Sequence, residues 1–110
     1  MKMYLDTSTN TCVLRLDSQE YTWEAGHEMA EKILAFIHDK LQENGKDWAD
    51  LTEITYYAGP GSFTGLRIGA AIVNVLADQL KIPLYDQNRQ QRQIILPDYG
   101  RPANISAPKK

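Results

Sequence analysis

Residues 59–69 read Gly-Pro-Gly-Ser-Phe-Thr-Gly-Leu-Arg-Ile-Gly, and this stretch decides the fold of the chain. It lies between a β-rich apolar run at 54–57 and a helix-like run at 66–80. Glycine reaches backbone angles that other residues avoid, so it is used where a chain turns sharply or approaches another group closely. The stretch therefore predicts a corner at which a strand turns into a helix.

One interpretation of this corner is an anion site. Backbone N–H groups and the dipole of a helix that follows a strand favour a negative charge at the start of the helix. Asp6, at the end of the first predicted strand, joins Ser62 and Thr64 as a weak candidate for such a site. The stretch has neither the lysine of a Walker motif nor the GxGxxG spacing of a dinucleotide site, which counts against this interpretation.

The other interpretation of the corner is structural. One of the two hydroxyl residues caps the second helix, while Gly59 and Gly61 turn the chain. Gly65 and Gly69 lie four residues apart on one helical face, where a missing side chain lets another backbone come close. This interpretation predicts that the second helix packs tightly on the sheet or on another helix.

The hydrophobic pattern outside the corner predicts an α/β fold. Alternation indicates strands, and an apolar residue every three or four positions indicates helices. The predicted strands are 1–5, 11–16, 20–25, 53–57 and 82–85, and the predicted helices run from Gly26 to Gly45 and over 64–81. The order is β-β-β-α-β-α-β in a mixed five-stranded sheet. Strands four and five should be parallel, because a helix joins them by a right-handed crossover.

The composition is that of a single globular domain. The chain has 110 residues, 43% hydrophobic and 24% charged, with a formal net charge of −2. This charge does not favour direct binding to nucleic acid or to a membrane surface. Cys12 is the only cysteine, so we expect a buried, inert thiol and neither a disulfide nor a metal site. Arg67 and Asp78 interrupt the longest apolar run, which excludes a membrane span and makes a cytoplasmic protein the default.

No set of residues suggests catalysis. His27 and His38 are eleven positions apart with no third ligand near them, and no Ser/His/Asp or Cys/His set can be assembled. We therefore predict no catalytic residue, no metal and no cofactor. The alternative, a small anion- or nucleotide-binding enzyme that uses Asp6 and the Gly59–Gly69 loop, remains open at this point.

The corner and the first strand together carry a family resemblance. A strand that ends in Asp6-Thr7-Ser8, a ββ hairpin, a helix after His27 and the eleven residues 59–69 resemble the TsaB (YeaZ) family. The resemblance covers residues 1–86. It implies the N-terminal lobe of the actin/sugar-kinase/Hsp70-like (ASKHA) architecture, which is RNase H-like.

The resemblance also implies a function. Members of the family are noncatalytic subunits of the bacterial machinery that installs N6-threonylcarbamoyladenosine beside the anticodon of tRNA. The implied partners are a TsaD-like transferase and a TsaE-like ATPase, with tRNA reached through the complex. A homodimer is implied when the partner is missing.

In this family the two helices of the lobe contact the TsaD-like partner. The pattern agrees, because both predicted helices carry apolar residues on more than one face and a single lobe cannot cover them all. The predicted interface residues are Met29, Ile33, Ile37, Arg67, Ile68, Ile72 and Val75.

The chain departs from the family pattern after residue 86. We predict a TsaB-like lobe at 1–86, a polar connector at 87–96 and an extended tail at 97–110, in place of a second lobe. The Pro97-Asp98-Tyr99-Gly100-Arg101 stretch resembles the end of family members, which suggests an internal deletion. One lobe cannot close a cleft over ATP, so we expect no nucleotide at Asp6 or at the corner.

Overall fold

The computed structural model of the chain describes residues 1–98, which form a mixed sheet of six strands with helices on one face. The strands are β1 (Lys2–Asp6), β2 (Thr11–Leu16), β3 (Gln19–Glu24), β4 (Glu53–Tyr56), β5 (Leu84–Asp86) and β6 (Gln91–Arg92), in the spatial order β3-β2-β1-β4-β5-β6. The helices are α1 (Met29–Glu43) and α2 (Phe63–Leu80). Short 3₁₀ turns lie at Gly26–Glu28 and Trp48–Asp50.

The pairing of the strands confirms the predicted class and order. The β1–β2 and β2–β3 pairs are antiparallel, so the chain opens with a meander. The β1–β4 and β4–β5 pairs are parallel, with α2 as the crossover between β4 and β5. The strand β6, antiparallel to β5, was not predicted, because two residues are too few to show a period.

The register places the core residues of neighbouring strands side by side. Met3 lies opposite Leu16 on one side and Ile54 on the other, and all three are buried on the face that carries the helices. Cys12 on the same face is fully buried, as predicted. Because every buried strand residue points to this one face, the core is a single layer between sheet and helices.

The opposite face of the sheet is polar and pairs its own charges. The Arg15 guanidinium lies 4.1 Å from the centre of the Tyr4 ring and 3.5 Å from the Glu20 carboxylate. Arg89 donates to the Glu53 carboxylate at 3.1 Å. A polar face of this kind can be exposed to water, so the sheet does not need a second layer of helices to cover it.

Each helix buries one apolar stripe. The stripe of α1 is Met29, Ile33, Ile37 and Leu41. The stripe of α2 is built from smaller residues: Gly65, Leu66, Gly69, Ala70, Val73 and Ala77. The second helix ends at Leu80, and the left-handed backbone of its C-cap Lys81 (φ 59°) turns the chain so that the N–H of Ile82 donates to the Ala77 carbonyl at 3.1 Å. Within residues 1–98, neither helix is long and apolar enough to cross a membrane.

The turn from β5 into β6 is organised by Asp86. One carboxylate oxygen accepts from the backbone N–H of Asn88 at 2.9 Å and of Gln90 at 3.0 Å, and the other accepts from Arg92 Nε at 3.1 Å. Desolvation opposes the charge of this buried carboxylate, but these hydrogen bonds outweigh it and lower the pKa of Asp86. The ionised Asp86 side chain thus holds the β5–β6 turn together by hydrogen bonds.

Residues 93–98, called the strap below, return from β6 along α2. Asn74 of α2 holds the strap by two hydrogen bonds to the backbone of Ile95, whose side chain is buried. At the far end the N–H of Asp98 donates to the Ala58 carbonyl at 2.7 Å. Residues 87–96, predicted as a polar connector, thus contain β6 and part of the strap. Beyond Asp98, the predicted tail lies outside the described residues.

Candidate functional site

The corner at 59–69 places the first turn of α2 directly against the end of β1. Ser62 is the N-cap of the helix, because its hydroxyl oxygen accepts from the N–H of Gly65 at 3.2 Å. The N–H of Ser62 itself donates to the Ser8 carbonyl at 2.7 Å. The first strand and the second helix are therefore joined through backbone groups.

A buried hydroxyl pair fixes this junction. The Thr7 hydroxyl donates to the Gly65 carbonyl at 2.6 Å and lies 2.9 Å from the Tyr56 phenol oxygen. The phenol in turn donates to the Leu66 carbonyl at 2.9 Å. Both side chains are fully buried, and burial raises the pKa of Tyr56 to about 12, so the phenol stays a donor.

The two helical glycines make the junction possible. A Cβ atom at Gly65 would lie closer than 3.0 Å to the Thr7 carbonyl oxygen. One at Gly69 would lie equally close to the Thr7 hydroxyl and to the Tyr56 ring. Both positions therefore require glycine because of close approach, as the structural interpretation of the corner predicts.

Three backbone donors of the proposed anion site are already engaged in hydrogen bonds. The N–H groups of Ser62, Gly65 and Leu66 donate to acceptors within the corner or in Ser8. The Asp6 carboxylate closes a local turn by accepting from the N–H of Ser8 at 2.8 Å. The structure brings Asp6 and Ser62 to the same junction around Ser8. These contacts favour a structural corner over an anion cradle.

Thr64 and Gly61 also bear on the choice between a structural corner and an anion site. Thr64 is exposed on the first turn of α2, and it lines a shallow depression on the outside of the helix. A Cβ atom at Gly61 would lie closer than 3.0 Å to the Ser8 side chain, so the loop rests directly on the end of β1.

Gln87 also fixes the corner, although no local sequence pattern indicated this role. Its side-chain oxygen accepts from the N–H of Ala58 at 3.0 Å, and its side-chain nitrogen donates to the Gly59 carbonyl at 2.7 Å. Gly59 has a positive φ of 120° and faces the backbone of Asp98. These contacts join residues 28–39 positions apart in the chain, which a local sequence pattern cannot show.

Three of the predicted interface residues lie in the core. Met29, Ile33 and Ile37 are 0–3% exposed, because their stripe packs on the sheet. They have no surface to offer a partner, and the prediction is corrected for them. The four-residue period correctly predicted which side of α1 is buried. A period alone does not show whether that side is covered by the sheet or by another protein.

The other predicted interface residues lie on the outside of α2. Val75 is 59% exposed, and Ile68 and Ile72 are half-buried. Arg67 is exposed, with its guanidinium 5.6 Å from the centre of the Phe63 ring. Arg67 and Ile68 also line the depression of about 320 Å³ beside Thr64.

Two residues that were not predicted at the interface, Ala71 and Leu34, add exposed apolar area on the two helices. Ala71 lies between Ile68 and Val75 on the same stripe, and Leu34 of the neighbouring α1 is 47% exposed. We call this set, Leu34, Ile68, Ala71, Ile72 and Val75, the helix surface. The next exposed apolar side chains, Phe63, Ile94 and Leu96, lie at the start of α2 and in the strap.

The histidines lie outside this region. His27 is exposed in the turn before α1. His38 lies 3.3 Å from the Asp47 carboxylate and stacks on Trp48. This small surface cluster holds the loop that follows α1, and it shares no residue with the corner or with the helix surface.

Comparison with known proteins agrees with this architecture. Residues 23–91 match the family model described as TsaD: tRNA N6-adenosine threonylcarbamoyltransferase. The chain belongs to the TsaD family. Within the family it is similar to TsaB of Escherichia coli (strain K12), with 32% identity over 90 residues, which cover 73% of this chain and 36% of that protein. The predicted resemblance to TsaB (YeaZ) is thus confirmed.

Two further relatives extend the comparison. The TsaB of Bacillus subtilis (strain 168) is 33% identical over 85 residues, covering 73% of this chain and 37% of that protein. The tRNA N6-adenosine threonylcarbamoyltransferase of Chromobacterium violaceum is 39% identical over 73 residues, covering 66% and 21%. This lobe is therefore similar both to proteins named TsaB and to a protein named as the transferase.

A solved structure confirms the fold of the TsaB-like lobe. The YeaZ of Pseudomonas aeruginosa superposes with a TM-score of 0.69 and 30% identity, over 77% of this chain and 42% of that one. The chain spans little more than a third of the length of the curated TsaB relatives it matches.

Proposed function

We propose that this chain is a noncatalytic, partner-binding subunit in tRNA N6-threonylcarbamoyladenosine biosynthesis. The relatives named TsaB are biosynthesis proteins of this modification, and the family model is that of the transferase. The observation that carries the proposal is the helix surface, an apolar stripe on the outside of α2 together with the exposed Leu34 of α1. We propose that a TsaD-like transferase binds there.

The corner supports a binding role over a catalytic one. The N–H groups of Ser62, Gly65 and Leu66, the N-cap hydroxyl and the Asp6 carboxylate are engaged in contacts within the corner or with the end of β1. A site that binds a nucleotide needs such donors free and aimed at the phosphates. Calorimetric titration with ATP and Mg²⁺ tests this point, and tight, saturable binding by the chain alone would favour the enzyme alternative.

The remaining parts of the proposal follow from this role. A TsaE-like ATPase binds the pair formed with the transferase, and tRNA is reached through the complex because the chain carries a net charge of −2. Without its partner, the chain associates with a second copy through the same apolar surface. The complex acts in the cytoplasm, where tRNA is modified.

The helix surface is tested by placing a charge in it. Val75→Asp should weaken binding to the TsaD-like subunit of the same organism by about 30-fold or more, because an unpaired charge is then buried in the interface. Val75 is 59% exposed, so the variant should keep its fold. Thr9→Asp is the matched control: Thr9 is exposed in the β1–β2 turn, and an aspartate there can still accept from the N–H of Thr11.

The assay is calorimetric titration of the TsaD-like subunit, followed by a tRNA modification assay with and without this chain. If Val75→Asp and Thr9→Asp bind the TsaD-like subunit with equal affinity, the helix surface is not the binding site. Full modification of tRNA without the chain would contradict the proposed function itself.

A further inference from the structure

The depression on the outside of α2 contains one charged residue. It has a volume of about 320 Å³ and is lined by Thr64, Arg67, Ile68 and Ala71. These positions follow the spacing i, i+3, i+4 and i+7, so they share one face of the helix, and Val75 continues that face four residues after Ala71. Because Ile68 and Ala71 also belong to the helix surface, the depression and that surface are continuous.

Arg67 differs from the other described arginines in having no carboxylate partner. Within residues 1–98, Arg15, Arg89 and Arg92 each lie within 3.5 Å of a carboxylate oxygen. Over the same range the Arg67 side chain makes no ion pair and no hydrogen bond, and its guanidinium lies 5.6 Å from the centre of the Phe63 ring. An exposed positive charge thus lies uncompensated beside an apolar stripe.

The stability of α2 gives no reason for a cation at this position. The N-terminal end of a helix carries a partial positive charge, which favours acidic residues and disfavours basic ones. None of the residues 63–66, which form the first turn of α2, is acidic. A helical side chain leans toward the N terminus of its helix, and this brings the Arg67 guanidinium over the first turn beside Phe63. A carboxylate from outside the chain is therefore favoured at this point.

The depression offers the groups that bind an acidic side chain. The Arg67 guanidinium can donate two parallel hydrogen bonds to one carboxylate. The Thr64 hydroxyl is exposed and makes no hydrogen bond within residues 1–98, so it can donate another. Ile68 and Ala71 provide apolar contact for the methylene groups that carry the carboxylate. The set fits an aspartate or a glutamate that projects from a partner.

We propose that this depression receives an acidic side chain of the TsaD-like partner, and that Arg67 determines how the partner is oriented on α2. This inference rests on the proposed function, because it names the charged group that the partner brings to the helix surface. The occupant is argued from charge complementarity. An apolar stripe binds any apolar face of suitable shape, whereas an unpaired guanidinium beside it selects a partner with a carboxylate at the matching place.

The test compares substitutions of Arg67 in the calorimetric titration of the TsaD-like subunit. Arg67→Gln should weaken binding about tenfold, because a charge-assisted pair is lost. Arg67→Glu should weaken binding about tenfold further, because two like charges then face each other. Arg15→Gln is the matched control, since Arg15 is exposed on the polar face of the sheet and its loss should leave the affinity unchanged.

Two further measurements separate the charge from the fold. Raising NaCl from about 50 to about 500 mM should weaken binding of the unaltered chain more than binding of Arg67→Gln, because salt screens the pair that only the unaltered chain makes. The unfolding midpoint of Arg67→Gln should equal that of the unaltered chain, because Arg67 is exposed and unpaired within the described residues.

The outcomes distinguish this inference from the proposed function. If Arg67→Gln binds like the unaltered chain while Val75→Asp is weakened, Arg67 faces no acidic group and the proposed function stands. If Arg67→Gln and Arg67→Glu are weakened equally, the depression is covered by something other than a carboxylate and the inference is wrong. If the unaltered chain does not bind the TsaD-like subunit, both fail. If Arg67→Glu changes only self-association, measured by sedimentation, the depression faces a second copy and the assignment to the transferase is wrong.

Discussion

The hydroxyl of Thr7 should be worth about 2 kcal/mol to the free energy of unfolding. Thr7→Val keeps the shape of the side chain but removes its donation to the Gly65 carbonyl and its contact with the Tyr56 phenol. Each hydroxyl has one proton, so the contact with the phenol adds no second donated bond. A buried acceptor that loses its donor costs about 1–3 kcal/mol, which makes the loss about 2 kcal/mol. The phenol keeps its bond to the Leu66 carbonyl, which limits the loss to this value.

Urea denaturation followed by circular dichroism measures this loss. With an m value of about 1–3 kcal/mol per M, the midpoint should fall by about 0.7–2 M. Thr22→Val is the matched control, because Thr22 is exposed on β3 and the change should stay within about 0.5 kcal/mol. Equal midpoints for the two variants would refute the reasoning that the hydroxyl pair holds β1 against α2.

Two further predictions concern pH. Burial, reinforced by the charge of Asp6, raises the pKa of Cys12 to about 12, whereas an unfolded cysteine titrates near pH ~8.5. The stability that this group contributes is complete below pH ~8.5 and is lost as the pH rises, by about 1.4 kcal/mol per pH unit. The free energies of unfolding of the unaltered chain and of Cys12→Ala should therefore converge between about pH 9 and 11. A difference between the two that does not change with pH would contradict this. Asp86 has a lowered pKa, so its contribution is present above the unfolded value of ~3.9 and is lost as the pH falls further. Asp86→Asn should therefore be less stable than the unaltered chain at neutral pH but not in strong acid, and a difference independent of pH would show that the charge has no role.

The sequence was sufficient for the elements whose pattern is local. The alternation in β1 and β2 and the four-residue stripe of α1 are repeated often enough to indicate both the element and its buried side. The corner could be recognised because Gly65 and Gly69 are required there for a physical reason, the close approach of Thr7 and Tyr56. Even there, the sequence did not identify the partner residues, which lie on other strands.

The rest could not be predicted because it depends on contacts between distant positions. Asn74 looks like one polar residue in an apolar helix until Ile95 is found against it, 21 positions later. Gln87 belongs to a polar stretch whose composition suggests a loop, yet its amide completes the corner. The assignment of Ile33 to an interface was wrong for a related reason: an apolar stripe is the same in sequence whether a sheet or another protein covers it.

The position of β1 in the middle of the sheet has a consequence for folding during synthesis. The strand is made before the other five described strands of the sheet and can pair with β2 at once, because only a short turn separates them. Its other edge stays open until β4 emerges from the ribosome about fifty residues later. In that interval the nascent chain exposes an unpaired strand edge, which is a template for aggregation. We therefore expect slowed translation between β3 and β4 to reduce the yield of folded protein more than slowed translation after β5.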